Sequence, residues 1–287
     1  MMIKLENLAV LREPLEEQLA EYKALQRELA RLLTEKDHMV KNIGPQMEAE
    51  LELKLGVLQF EAESLDCDIR LLKRKLDMIL AHYKSAGECP GEESLDEFDT
   101  QLEMEFATQR GFTQSRFEKI VSARLLVDSV LSEEERQRMI KVYRRLAKRL
   151  HPTINPDLTP EYKSVWEYIS NAYRNGELEE LETLATLLKS LPGEVTGVPD
   201  LAQPEATALL QSRIVKMRST RRQVREQIRN MKRAHPYRLN YQPKDSGWVE
   251  EQCRELQERI RQLGKDKEIS EHLMTAVLSG AGRNNLH

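Results

Sequence analysis

The chain has 287 residues, of which 5% are aromatic and 32% charged, and its cations and anions nearly cancel at a net charge of −4. That length ordinarily divides into two domains, and so few aromatics among so many charges suit long solvated helices better than one large spherical core. Near-neutrality excludes a polyanion binder acting through bulk charge, so local patches have to carry any electrostatic recognition.

At the N-terminus, MMIKLENLAVLREPLEE reaches Glu6 and Glu13 before an apolar run of signal length can form. No later stretch approaches the roughly 20 apolar residues of a membrane span, so a cytoplasmic chain is expected. Leu8, Leu11, Leu15, Gln18, Tyr22, Leu25, Leu29, Leu32, Lys36 and Met39 step by three and four. Leu51, Leu55, Leu58, Ala62, Leu65, Ile69, Leu72, Leu76, Ile79 and Tyr83 repeat the spacing without a break. A 3.5-residue repeat keeps one narrow seam facing a partner helix, which is the coiled-coil condition. Between the arms lies NIGPQ, where Gly44 and Pro45 read as a breaker, so residues 1–87 are predicted to close as an antiparallel hairpin. The alternative is a pair of helices meeting another chain. Polar seam residues such as Gln18 and Lys36 set register.

Residues 88–112 form an acidic linker carrying Glu88, Glu92, Glu93, Asp96, Glu97, Asp99, Glu103 and Glu105. Ser94 with Glu97 reads as a capping box for a short helix that Arg110-Gly111 stops. Ser115 with Glu118 opens a second helix, and Ser132 with Glu135 a third that ends in RRLAKRL. Pro152 disfavours helix at His151, so HPTINPDL is a loop pinned by two prolines. Thr159-Pro160 then starts a helix over 160–174 with Val165, Trp166, Ile169 and Tyr173 on one face, and Asn175-Gly176 ends it. ELEELETLATLLKS makes one more helix. Residues 113–190 are thus a small helical domain, followed by a linker at 191–203.

The last segment, 204–287, repeats the plan of the first. Leu210, Ile214, Met217, Arg221, Val224, Ile228 and Met231 form one arm, a proline-broken connector spans 234–248, and Val249, Cys253, Leu256, Ile260, Leu263, Lys267, Ser270, Met274 and Val277 form the returning arm. The expected fold class is all-α: two long antiparallel coiled-coil helical hairpins flanking a small helical domain. Cys67, Cys89 and Cys253 are scattered and form no CxxC pair, which fits a reducing compartment rather than a disulfide framework.

The middle domain resembles the J domain of DnaJ-type co-chaperones. MIKVYRRLAKRLH (139–151) is similar to that family's second helix, with Met139, Val142, Tyr143, Leu146, Ala147 and Leu150 at its apolar positions. Trp166, Ile169, Ala172 and Tyr173 match its third helix, and residues 115–130 are the candidate for its first. The resemblance covers about residues 132–175. It implies docking to a DnaK-type chaperone through a basic second helix and a His-Pro-Asp loop. Lys141, Arg144, Arg145 and Lys148 supply the basic face, and His151 and Pro152 match the loop. Thr153 stands where the family has aspartate. A neutral hydroxyl replaces an anionic acceptor, and a charge-assisted hydrogen bond is about twice as strong as a neutral one. The loss in a desolvated contact is a few kcal/mol, roughly 10²-fold in coupling.

A second cationic run holds Arg213, Lys216, Arg218, Arg221, Arg222, Arg225, Arg229, Lys232 and Arg233 against one acid, Glu226. Arg218, Arg221, Arg222 and Arg225 are its nucleic-acid candidates, since phosphate contacts need such charge density. The competing reading is neutralisation by Glu250, Glu251, Glu255, Glu258, Glu268 and Glu271 on the returning arm, and no aromatics interleave to stack bases. No nucleotide, zinc or hydrolase motif is present, so no enzyme, cofactor or metal is expected. The sequence therefore predicts a non-catalytic, chaperone-related adaptor that holds protein partners on coiled-coil helices and is compatible with an oligomer. An active co-chaperone and a nucleic-acid-associated protein are the alternatives.

Overall fold

A computed structural model describes residues 5–129, 131–188, 203–241 and 247–280. Among them all regular structure is helical, and the chain is all-α. In chain order the helices are α1 (Leu5–His38), α2 (Gly44–Leu51), α3 (Val57–Ala86), α4 (Glu92–Asp128), α5 (Glu133–Leu150), α6 (Pro160–Asn175), α7 (Leu178–Leu187), α8 (Gln203–Arg233), α9 (Arg238–Tyr241) and α10 (Trp248–Leu278). Two compact units result, one from Met1–Pro45 with Val130–Tyr241, the other from Gln46–Ser129 with Gln242–His287. Most of the linker expected at 191–203 lies outside the described residues.

In the first unit, α1 packs along α8 rather than along α3. Tyr22, Leu25, Leu29 and Leu32 of α1 and Leu210, Ile214, Met217, Val224 and Ile228 of α8 are buried. Their charged borders give the direction. Glu21 meets Arg218 at 2.5 Å, Glu28 meets Arg221 at 3.0 Å and also Arg225, and Glu35 meets Lys232 at 2.9 Å. Residue numbers rise together on both sides, so the pair is parallel. Glu21, Glu28 and Glu35 recur every seven residues, as do Arg218, Arg225 and Lys232. A seven-residue period keeps one flank of each helix facing the other. Leu8, Leu11 and Leu15 lie on α1, but their side chains fall outside the described set.

The expected breaker at Gly44-Pro45 is helical. Met39–Ile43 form a π-helical turn, and Gly44 continues at φ −58°, ψ −58°. Proline interrupts a helix by lacking an N–H and crowding the preceding turn. A wider turn just before it relieves that crowding, as π-bulges do elsewhere. The Gly44 N–H bonds the Met39 carbonyl, and the Tyr237 hydroxyl donates to the same oxygen at 2.8 Å.

In the second unit, α3 and α4 form an antiparallel hairpin. Gly87 caps α3 in the left-handed conformation at φ 78° and donates to Tyr83 O. Lys75 meets Asp99 at 2.5 Å, Arg74 meets Glu105 at 3.3 Å and Arg116 meets Glu63 at 2.9 Å. These falling and rising numbers define the hairpin, and they give acids of the 88–105 stretch partners on α3. Two expected helices are one here, because α4 runs straight through Arg110-Gly111. A mid-helix glycine costs about 1 kcal/mol. Packing on both sides of it, with Leu102 and Ala123 buried and Phe117 against Phe60 at 5.9 Å, outweighs that local signal. The candidate first helix of the middle domain, 115–130, is therefore not a separate element: residues 115–128 belong to α4, which packs on α3. α10 also lies along α3, with Lys267 on Asp68 at 2.6 Å.

Candidate docking surface

α5 opens as the sequence predicts. Ser132 accepts from the Glu135 N–H at 3.3 Å, and the Glu135 carboxylate accepts from the Ser132 N–H at 3.0 Å, a complete capping box. Met139, Val142, Tyr143, Leu146, Ala147 and Leu150 fall on one face and are all buried. They pack on Trp166, Ile169, Ala172 and Tyr173 of α6 and on Leu181 and Ala185 of α7. Gly176 ends α6 at φ 77°, the left-handed cap expected of Asn175-Gly176.

The α5–α6 loop is tied to the end of α5 from inside. Asn155, buried, donates from Nδ2 to the carbonyls of Lys148 (3.0 Å) and Arg149 (2.9 Å), filling two of the acceptors a helix end leaves free. The His151 carbonyl accepts from the N–H groups of Ile154 and Asn155. Ile154 and Leu158 are buried beneath the turn. His151 is half-buried against Trp166, with ring centroids 4.7 Å apart, and its Nδ1 accepts from the Thr153 N–H at 3.0 Å. Burial lowers its pKa to about 4, so the ring is neutral near pH 7 and free to accept. Pro152 is half-buried and Thr153 exposed. Asn155 escaped the sequence reading, although an asparagine before Pro156 was a local turn signal.

The helix packed across α5 is α1. Its last turn carries Asp37, which accepts from the buried Tyr143 hydroxyl at 2.5 Å. In the π-turn that follows, Lys41 Nζ donates to Ser170 Oγ at 2.5 Å, to Tyr143 Oη at 3.2 Å and to Asp37 at 3.3 Å. Tyr143 stacks on Tyr173 at 3.9 Å between centroids, and Tyr173 Oη pairs with His38 Nδ1 at 2.9 Å. Burial pushes both phenols well above the usual tyrosine range, with the Asp37 charge adding to it, and pushes Lys41 and His38 down. This clamp was invisible in the sequence, because Asp37 and Lys41 sit more than a hundred residues from Tyr143.

Opposite the clamp, Lys141, Arg144, Arg145 and Lys148 follow i, i+3, i+4, i+7 and form one stripe down α5. The first three are exposed and Lys148 is half-buried. Among the described residues none of the four has a carboxylate partner. The neighbouring cations differ: Arg136 meets Glu133, Arg138 meets Glu182 at 2.8 Å, and Arg149 donates to Leu188 O at 2.6 Å. The stripe therefore ends on the His151–Thr153 turn as a row of charge that no described carboxylate offsets. The loop's acid, Asp157, is held by Arg213 at 2.6 Å.

On α8, Arg218, Arg221 and Arg225 are paired with Glu21 and Glu28, so the neutralising acids come from α1 rather than from the expected returning arm. Arg222 is exposed and has no carboxylate partner among the described residues. No group of three His, Cys, Asp or Glu suited to a metal ion occurs among the described residues, and no helix there is long and apolar enough to cross a membrane. Comparison with family models, with curated proteins and with solved structures returned no match.

Proposed function

We propose that the chain is a non-catalytic, cytoplasmic adaptor of J-domain character. In this reading α5 and its loop dock on a DnaK-type chaperone without fully stimulating its ATPase, while the faces of the long helices that stay exposed hold other protein partners. The observation that carries it is the row Lys141, Arg144, Arg145 and Lys148, unpaired among the described residues and leading into a loop fixed by His151 and Asn155. An uncompensated cationic row is suited to steering an acidic partner. The same loop presents a neutral Thr153, and its carboxylate, Asp157, is engaged by Arg213. Attachment without a trigger follows from that combination.

The test is binding and single-turnover ATP hydrolysis by a DnaK-type chaperone with the full chain. Weak binding is expected, lost in the Arg144→Glu/Arg145→Glu variant. Little stimulation is expected, and it should rise in Thr153→Asp. Stimulation by the wild type at the level of an authentic J protein would convert the reading to that of an active co-chaperone. Absence of any charge-dependent binding would remove it.

A further inference from the structure

Beyond that reading, α8 carries a second regular pattern which the adaptor role does not use. Arg218, Arg222, Arg225, Arg229 and Lys232 step by four, three, four and three, the same period as the apolar seam beside them. Cations at this spacing stay on one flank for the whole length of the helix instead of winding around it. Like charges three and four residues apart on a helix repel, so such a strip needs anions to offset it.

α1 supplies part of that offset. Glu21, Glu28 and Glu35 reach Arg218, Arg225 and Lys232, the members of the strip nearest α1. Glu28 also has to serve Arg221. The outer members are not reached. Among the described residues Arg229 meets only the exposed Glu226 of its own helix, and Arg222 meets no carboxylate. A groove of about 300 Å³ runs along this edge, lined by Arg218, Arg221, Arg222, Arg225, Glu226 and Arg229. A guanidinium has five N–H donors, and each ion pair here occupies one or two of them, so donors remain to meet a ligand.

The lining selects the ligand class. It contains no apolar or aromatic side chain, whereas protein partners anchor through buried apolar and aromatic residues. It also has no ring on which a base could stack, which argues against single strands. Successive members lie about 6 Å or less apart along the axis, from a rise of 1.5 Å per residue. We propose that this edge of α8 binds the phosphate backbone of duplex nucleic acid without reading its sequence, with Arg222 and Arg229 as the principal contacts.

Fluorescence anisotropy of the full chain with a labelled duplex DNA of about 20 base pairs tests this. Binding at about 50 mM salt is expected, with about three phosphates neutralised and a slope of log K against log salt of about −3. Arg222→Glu with Arg229→Glu should weaken binding at least tenfold and flatten the slope by about two. Both side chains are exposed, and Arg222→Gln with Arg229→Gln, which keeps the helix and removes only charge, should shift affinity the same way by a smaller factor. The proposal is overturned if duplex binding is absent or insensitive to salt. It is equally overturned if both paired variants bind like the wild type, if Arg144→Glu/Arg145→Glu abolishes binding instead, or if polyglutamate or inorganic polyphosphate competes as well as the duplex at equal charge. The chaperone assay is scored separately, so either conclusion can fail alone.

Discussion

Tyr237 donates its hydroxyl to the carbonyl of Met39 at 2.8 Å, and Gly44 is the residue that lets the ring approach. A Cβ on Gly44 would sit 2.5 Å from the Tyr237 oxygen and 3.1 Å from the Met39 carbonyl, and the latter is backbone that cannot swing aside. Gly44→Ala should therefore destabilise the first unit by about 1–3 kcal/mol, although alanine is the better helix former. Tyr237→Phe should cost about 1 kcal/mol, because Gly44 N–H still satisfies the carbonyl. Urea titration followed by circular dichroism reads both, and a stabilised Gly44→Ala would contradict the close approach.

Asn155 is the internal cap of α5. Asn155→Ala leaves the Lys148 and Arg149 carbonyls without this donor and should cost about 2 kcal/mol. Amide exchange should accelerate at Ile154 and Asn155, whose N–H groups bond His151 O in the same turn. Unchanged protection there would show that the prolines alone hold the loop.

His151 should make stability fall in acid. The unfolded side chain titrates near pH 6.5, the folded one near 4, so between these values the unfolded chain binds the extra proton. This contribution is fully favourable above pH 6.5, declines as pH falls, and is exhausted below about pH 4, at a total of up to about 3 kcal/mol. His38 is shifted in the same direction by burial and adds to the slope. His151→Asn keeps an acceptor for the Thr153 N–H without the titration. Urea midpoints at pH 7 and pH 4.5 should differ less in that variant than in the wild type.

Glu28 is the shared anion of the α1–α8 border. Burial raises its pKa, but the hydrogen bond from Arg221 and the fields of Arg225 and Arg221 outweigh this and leave it below the usual carboxylate range. Glu28→Gln abandons two guanidinium groups and should cost about 1 kcal/mol at low salt, shrinking as salt is added. A loss that persists unchanged near 1 M salt would mean that packing rather than charge was disturbed.

What the sequence made legible is local, but only where packing does not override it: the Ser94–Glu97 and Ser115–Glu118 boxes do not form, because α4 starts from Gly91 and runs through both. The Ser132–Glu135 box, the Gly176 cap and the buried face of α5 are each decided within a few residues, and each forms as read. Partner choice was not legible. An apolar seam at a 3.5-residue spacing asks for another seam of the same period and does not say which, so the spacing that predicts α1 against α3 is met by α8 instead. The one available signal was the seven-residue recurrence of Glu21, Glu28 and Glu35 against Arg218, Arg225 and Lys232. Gly44-Pro45 reads as a break because a π-helical turn, which carries no sequence signature of its own, is what takes the chain through the proline. At the docking surface the cationic row and loop were readable, while the clamp of Asp37 and Lys41 on Tyr143 was not.

The parallel pairing also sets a schedule for biosynthesis. Glu21 waits for Arg218, and Asp68 waits for Lys267, so nearly two hundred residues separate each helix from its mate. At about 5–20 residues per second, the face of Tyr22, Leu25 and Leu29 stays bare for roughly 10–40 s while the ribosome works. Closing a loop of that size carries an entropic cost that the apolar seam and its charged borders have to offset. During that interval the nascent protein is itself the kind of sticky, half-made polypeptide that needs sheltering.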